Sequence, residues 1–191
     1  MSSAIGNINW MSLNILLACL GVLFGLLFVY TRNWWLKMPL FILWLLFVPN
    51  TIYLVTDLQH FPRQFYAATT WIEQTVLFIQ YCLLFAFGIV TYLFGMYPLQ
   101  RLFPIFRRRP NPLFMPIVAI FNTLIAFGVA LGKVERTHSV YLFTQPERVF
   151  TDIGSLLMRE NAIITIIVFS ILCNAIFFSF YALLIKQLKL K

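Results

Sequence analysis

Leu46-Phe47-Val48-Pro49-Asn50-Thr51-Ile52-Tyr53-Leu54-Val55-Thr56-Asp57-Leu58-Gln59-His60 is the stretch on which the reading of this chain turns. It starts inside an apolar run and ends in side chains that can carry protons or bind metals. Pro49 removes a backbone donor and crowds the turn before it, so a kink is expected there, with the carbonyl region near Leu45 freed. Asn50 sits beside the proline at membrane depth, where a polar group is costly and needs a partner. It can satisfy the freed backbone or join a polar cluster. Asp57 follows about 10 Å further along a helix at 1.5 Å per residue.

The surroundings are apolar. Of 191 residues, 61% are hydrophobic and 10% are charged, and the mean hydropathy is +0.87. A soluble domain carries about 25% charged residues. About 20 apolar residues cross a bilayer as a helix. Spanning strands would instead alternate in hydrophobicity over about ten residues, a pattern absent here. The expected fold is all-α: a polytopic membrane protein with five transmembrane helices at about 12–31, 38–55, 71–97, 113–132 and 162–185. One transmembrane domain over 1–191 leaves no room for a soluble one. Residues 1–11 hold no Lys or Arg, so the first span reads as an uncleaved helix, not a signal peptide.

Between the spans, 61–70 and 98–112 read as loops because of Pro62, Pro98, Pro104, Pro110 and Pro112. Thr56 to Gln59 and Thr144 to Glu147 both have the spacing of a capping box. After the second, Val149, Phe150, Ile153, Leu156 and Leu157 share a helical face, which predicts an amphipathic interfacial helix over about 146–159. Gly21 with Gly25, and Gly128 with Gly132, have the spacing that lets helices approach closely. Asn122 and Asn174 read as interhelical glue. Cys19, Cys82 and Cys173 lie apart inside apolar runs, without the spacing of a zinc site.

Five spans put the termini on opposite sides. With the N-terminus outside, the inner segments hold Arg32, Lys37, Arg101, Arg107, Arg108, Arg109, Lys186, Lys189 and Lys191. The outer segments hold Arg63, Lys133, Arg136, Arg148 and Arg159. The positive-inside rule selects this orientation. The net charge of +8 therefore marks topology and contact with anionic lipid, with no nucleic acid implied. All six acids and both histidines fall on the outer side. One rim is a basic anchor; the other carries the side chains suited to acid–base chemistry or metal binding.

The opening stretch, with its Pro-Asn, its Tyr, its Thr-Asp and a His three residues after the Asp, resembles the central signature of an uncharacterised bacterial membrane family, the domain of unknown function numbered 1361. A second block, Phe127-Gly128-Val129-Ala130-Leu131-Gly132-Lys133-Val134-Glu135-Arg136-Thr137-His138-Ser139, is similar to that family's Gly…Leu-Gly-Arg segment. Leu13-Asn14-Ile15-Leu16-Leu17-Ala18 is similar to its first-helix Asn. Lys133 stands where the family tends to have Arg, and His138 where it tends to have Asn. Val140 and Tyr141 replace a usual Trp-Asp. The resemblance implies a bacterial plasma-membrane location and a choice of residues, not a reaction.

Those residues give a candidate site at the outer leaflet face. Asp57, His60, Arg136 and His138 are the catalytic candidates. Asn14, Asn50, Glu73, Lys133 and Ser139 are the substrate-binding candidates. A carboxylate and an imidazole three apart share a helical face, so Asp57 and His60, with His138, are also candidate ligands for a divalent metal. Arg136 and Lys133 can hold a phosphate. In the structural reading the same residues tie helices together, with Asn14 and Asn50 bonding across helices and Arg136 pairing with Glu73 or Asp57. The leading expectation is a non-enzymatic membrane component that binds a lipid or protein partner. The alternatives are an enzyme acting on a lipid-linked or phosphate-bearing substrate, and a small transporter subunit.

Overall fold

A computed structural model describes residues 2–102, 113–137 and 139–189. All regular structure among the described residues is helical. Five helical stretches are long and apolar enough to cross a membrane: Ile5–Tyr30, Trp34–Ala67, Trp71–Leu102, Phe114–Val134 and Glu160–Leu183. The protein is an all-α polytopic membrane protein. Its chain divides into two compact units, Met1–Tyr97 and Pro98–Lys191.

The first unit contains α1 (Ser2–Tyr30), α2 (Trp34–Phe47), α3 (Pro49–Thr56), a single 3₁₀ turn (Asp57–His60), α4 (Phe61–Ala67) and α5 (Trp71–Gly95). Asn33 caps α2 by accepting from the Trp35 N–H at 3.0 Å, beside the exposed Tyr30, Trp34 and Trp35. The second span is interrupted at Val48, before Pro49, where the kink was expected. Side chains close the break. Asn50 Nδ2 donates to the Phe47 carbonyl at 3.0 Å, and Thr51 Oγ1 donates to the Val48 carbonyl at 2.7 Å. Trp44, fully buried, donates its indole N–H to the Gly95 carbonyl at 2.7 Å and so ties α2 to the end of α5.

Three local expectations fail. Residues 61–67 are helix α4, not loop, because Pro62 falls in the first turn, where no intrahelical N–H is needed. Likewise Pro98 stands near the start of α6 (Tyr97–Leu102); the remainder of the expected loop, with Arg107, Arg108 and Arg109, lies outside the described residues. Neither capping box forms. Thr56 Oγ1 donates back to the Tyr53 carbonyl at 2.9 Å, and Thr144 Oγ1 to that of Val140 at 3.4 Å. Each threonine ends a helix rather than starting one, so its hydroxyl meets the carbonyl of the preceding turn.

The second unit contains α7 (Phe114–Val134), α8 (Tyr141–Thr144), α9 (Pro146–Met158) and α10 (Glu160–Lys189). Helices α7 and α10 form its main packing. Asn122 Nδ2 donates to Asn174 Oδ1 at 2.9 Å, and Asn174 Nδ2 continues to the Ser170 carbonyl at 2.8 Å. One turn's neighbour, Thr123, meets Ser170 hydroxyl to hydroxyl at 2.9 Å. Interhelical bonds of this kind average about 0.6 kcal/mol and reach about 1.7. Asn122→Ala and Asn174→Ala are each expected to lose stability in that range. Their effects should not fully add in a double-mutant cycle, because both remove the bond between the two side chains.

Candidate functional site

In the first unit, α1 runs alongside the elbow made by the 3₁₀ turn and α4. Asn14 Nδ2 donates to Asp57 Oδ2 at 2.9 Å. Seven residues away on each partner, Asn7 and Gln64 exchange amide bonds: Asn7 Nδ2 to Gln64 Oε1 at 2.6 Å, and Gln64 Nε2 to Asn7 Oδ1 at 3.0 Å. On α1 seven residues are nearly two helical turns, so Asn7 and Asn14 lie on one face, and their bonds bring Gln64 and Asp57 to it. The two pairs are the rungs of an antiparallel ladder, about 10 Å apart at 1.5 Å per residue. Between them Trp10 donates its indole N–H to Asn7 Oδ1 at 2.9 Å and meets the His60 ring edge-on at 6.1 Å.

The ladder has a buried side and an exposed side. Asp57 is 1% exposed, although its backbone sits in a short turn at the end of a span. Tyr81 of α5, also 1% exposed, stands 6.4 Å from Trp10 and 5.4 Å from Phe61 between ring centroids. Its hydroxyl has no hydrogen-bond partner among the described residues. His60 is exposed, with its Nε2 3.2 Å from Gln59 Nε2. In a 3₁₀ turn residues three apart stand one above the other. Asp57 and His60 do so, but one is enclosed by the bundle and the other faces outward. A carboxylate held dry by an amide serves as an anchor between helices.

Glu73 is buried in the first turn of α5, whose N-cap Thr70 accepts from the Glu73 N–H at 3.3 Å. Asn50 is occupied at the helix break, seven residues and about 10 Å before Asp57 in the same span. Lys133, Arg136 and Ser139 belong to the second unit. Lys133 is in the last turn of α7, Arg136 is exposed with φ 56°, and Ser139 is half-buried before α8. His138 lies outside the described residues. Among the described residues no three His, Cys, Asp or Glu side chains gather as a metal site would require.

A second polar assembly organises the connection from α7 to α10. Arg159 Nε reaches Glu135 Oε1 at 3.1 Å. Thr137 Oγ1 donates to Asp152 Oδ2, which Arg148 Nε approaches at 3.6 Å. The Arg148 guanidinium also covers the Tyr141 ring, 4.5 Å from its centroid. A cavity of about 390 Å³ opens beside Arg159, Glu160, Asn161 and Thr165. The Arg159 side chain is more than half exposed, so its pair with Glu135 is worth about 0–1 kcal/mol. Arg159→Gln is therefore expected to change stability by less than about 1 kcal/mol, measured by thermal unfolding in detergent.

Asn7, Trp10, Gln64 and Tyr81 were not singled out from the sequence. Asn7 and Trp10 precede the apolar run, and Gln64 fell in the supposed loop. One signal was present: Asn7, Trp10 and Asn14 repeat at helical spacing. No curated protein and no solved structure matches the chain. One family model matches residues 13–176, a range that contains every candidate named from the sequence and leaves out Asn7 and Trp10. The chain belongs to the family described as "Protein of unknown function (DUF1361)".

Proposed function

We propose that this protein is a non-enzymatic component of the bacterial plasma membrane that binds a lipid or protein partner through the outer faces of its helices. The observation that supports this reading is the closed state of Asp57. The residue best suited to chemistry is 1% exposed and bonded to Asn14, so it holds α1 against the α3–α4 elbow. Meanwhile α10 leaves a row of side chains uncovered, including Ile163, Ile164, Ile167, Val168 and Ile171. That row is a surface for acyl chains or a second helix, since apolar contact in lipid rests on shape.

The test is purification into nanodiscs without chelator, followed by native mass spectrometry and metal analysis. The expected result is a retained lipid or protein partner that survives in an Asn14→Leu/Asp57→Leu variant that remains folded. Stoichiometric metal, lost in Asp57→Ala and His60→Ala while folding persists, would overturn the reading in favour of a metal enzyme. The orientation, N-terminus outside and C-terminus in the cytoplasm, follows from the distribution of Lys and Arg. Tyr66 is strongly exposed on α4. A cysteine at Tyr66 should react with an impermeant maleimide from outside the cell. Reaction only from the cytoplasmic side contradicts this topology.

A further inference from the structure

Helix α9 has an apolar arc that the described residues cover along one edge only. At about 100° per residue, Leu156, Val149, Ile153, Leu157 and Phe150 follow one another around an arc of about 120°. Leu156 and Val149 are buried, and Leu156 packs with Ala130 of α7 and Ala162 of α10. Ile153 is half-buried. At the far edge Leu157 is 57% exposed and Phe150 is 69% exposed. The opposite face carries Arg148, Thr151, Asp152 and Ser155. The bond that Asp152 accepts from Thr137, outside the helix, and the packing of Leu156 fix the roll of the helix, so this edge is held outward.

The position of α9 selects what lies against that edge. α10 begins at Glu160, just past the end of α9 at Met158, and it is a membrane span. Its exposed Ile163 and Ile164 come within the next turn, about 5 Å further at 1.5 Å per residue. Hydrocarbon therefore starts within about one turn of α9. Interfacial helices bury their apolar face by about 5–10 Å. Glu147 and Asp152 balance Arg148 and the adjoining Arg159, so attraction to anionic lipid adds little.

We propose that Phe150 and Leu157 insert into the acyl boundary of the bilayer that α7 and α10 cross. α9 is then bound to protein along the Val149–Leu156 edge and to lipid along the Phe150–Leu157 edge, independent of lipid charge. This inference rests on the spans, not on the partner reading given above.

The wild-type protein in phosphatidylcholine nanodiscs tests it without any variant. A carbene precursor dissolved in the lipid is photoactivated, and a parallel sample is exposed to hydroxyl radicals in the water. Residue-level mass spectrometry should find carbene at Phe150 and Leu157 at the level of Ile163 and Ile164, and several-fold less at Thr151 and Ser155. Phe150 should be spared by hydroxyl radicals. Radical modification of Phe150 without carbene would mean a water-facing edge and overturn the proposal. Absence of both labels would mean that protein, from this chain or a second copy, covers the edge, and would overturn it equally.

Discussion

Asn14→Leu is expected to destabilise the protein by about 1–3 kcal/mol, the scale for taking a hydrogen-bond partner from a buried polar group. The substitution leaves the Asp57 carboxyl at 1% exposure without the amide that donates to Oδ2. Asp57→Leu also removes the bond, but it leaves behind only a neutral amide on a half-buried residue. It should therefore cost less than Asn14→Leu. The double variant Asn14→Leu/Asp57→Leu should be more stable than the sum of the two single losses predicts, because both substitutions remove the same bond. Equilibrium unfolding of the four proteins in one detergent reads this out. A double variant as damaged as the sum of its parents would show that the two side chains act separately, and the ladder between α1 and the elbow would have no energetic content.

Much of the fold was legible because the spans are long. Apolar runs of about 20 residues state their helical nature without help from tertiary structure. What the runs could not state was where the helices end. α1 continues through Asn7 and Trp10, where hydropathy falls, because Gln64 and Asn7 satisfy each other across 57 residues of sequence. That stabilisation is tertiary and leaves no local trace. Pro62 was misread for a related reason. A proline stops a helix that is under way but suits one that is starting, and only the 3₁₀ turn before it decides which applies.

The site was legible in part. Asn14 and Asp57 stood out because each is polar within or beside apolar sequence, and the structure brings them together at 2.9 Å. Asn50 stood out on the same ground and is used differently, as the partner of the Phe47 carbonyl, because the Thr51 N–H bonds Val48 instead. The same signal, a polar group among apolar ones, thus marks an interhelical bond in one case and a backbone repair in the other. Tyr81 gave no signal, because an aromatic residue in a span is ordinary. Its unpartnered hydroxyl becomes visible only once the burial of the ring is known.

Gly21→Ala and Gly88→Ala are expected to destabilise the first unit by about 1–3 kcal/mol each, the range for overpacking, whereas Gly154→Ala should stabilise by about 0.5–1 kcal/mol. All three are helical glycines, so the propensity gain from alanine is the same and only space differs. A Cβ on Gly21 would stand 2.8 Å from the Phe47 carbonyl oxygen, 2.9 Å from its carbon and 3.1 Å from the Val48 Cα. Every one of those atoms is backbone at the helix break, so no rotamer change relieves the contact and α1 must move away from α2. On Gly88 the Cβ would meet Val55 Cγ2 at 2.9 Å, and Leu54 Cβ and the Val55 nitrogen at 3.0 Å. On Gly154 it would meet nothing within 4 Å. The spacing of Gly21 and Gly25 pointed to a close helix approach, and the approach at Gly21 is to the turn at Val48 where α2 gives way to α3. That contact lies seven residues from Asn14 along α1, about two helical turns or about 10 Å, so Gly21→Ala should leave the Asn14–Asp57 coupling energy intact while lowering total stability. Unfolding of Gly21→Ala, Gly88→Ala and Gly154→Ala beside the wild type measures the three signs directly. If Gly21→Ala matches or exceeds wild-type stability, α1 and the Val48 break are not packed backbone to backbone.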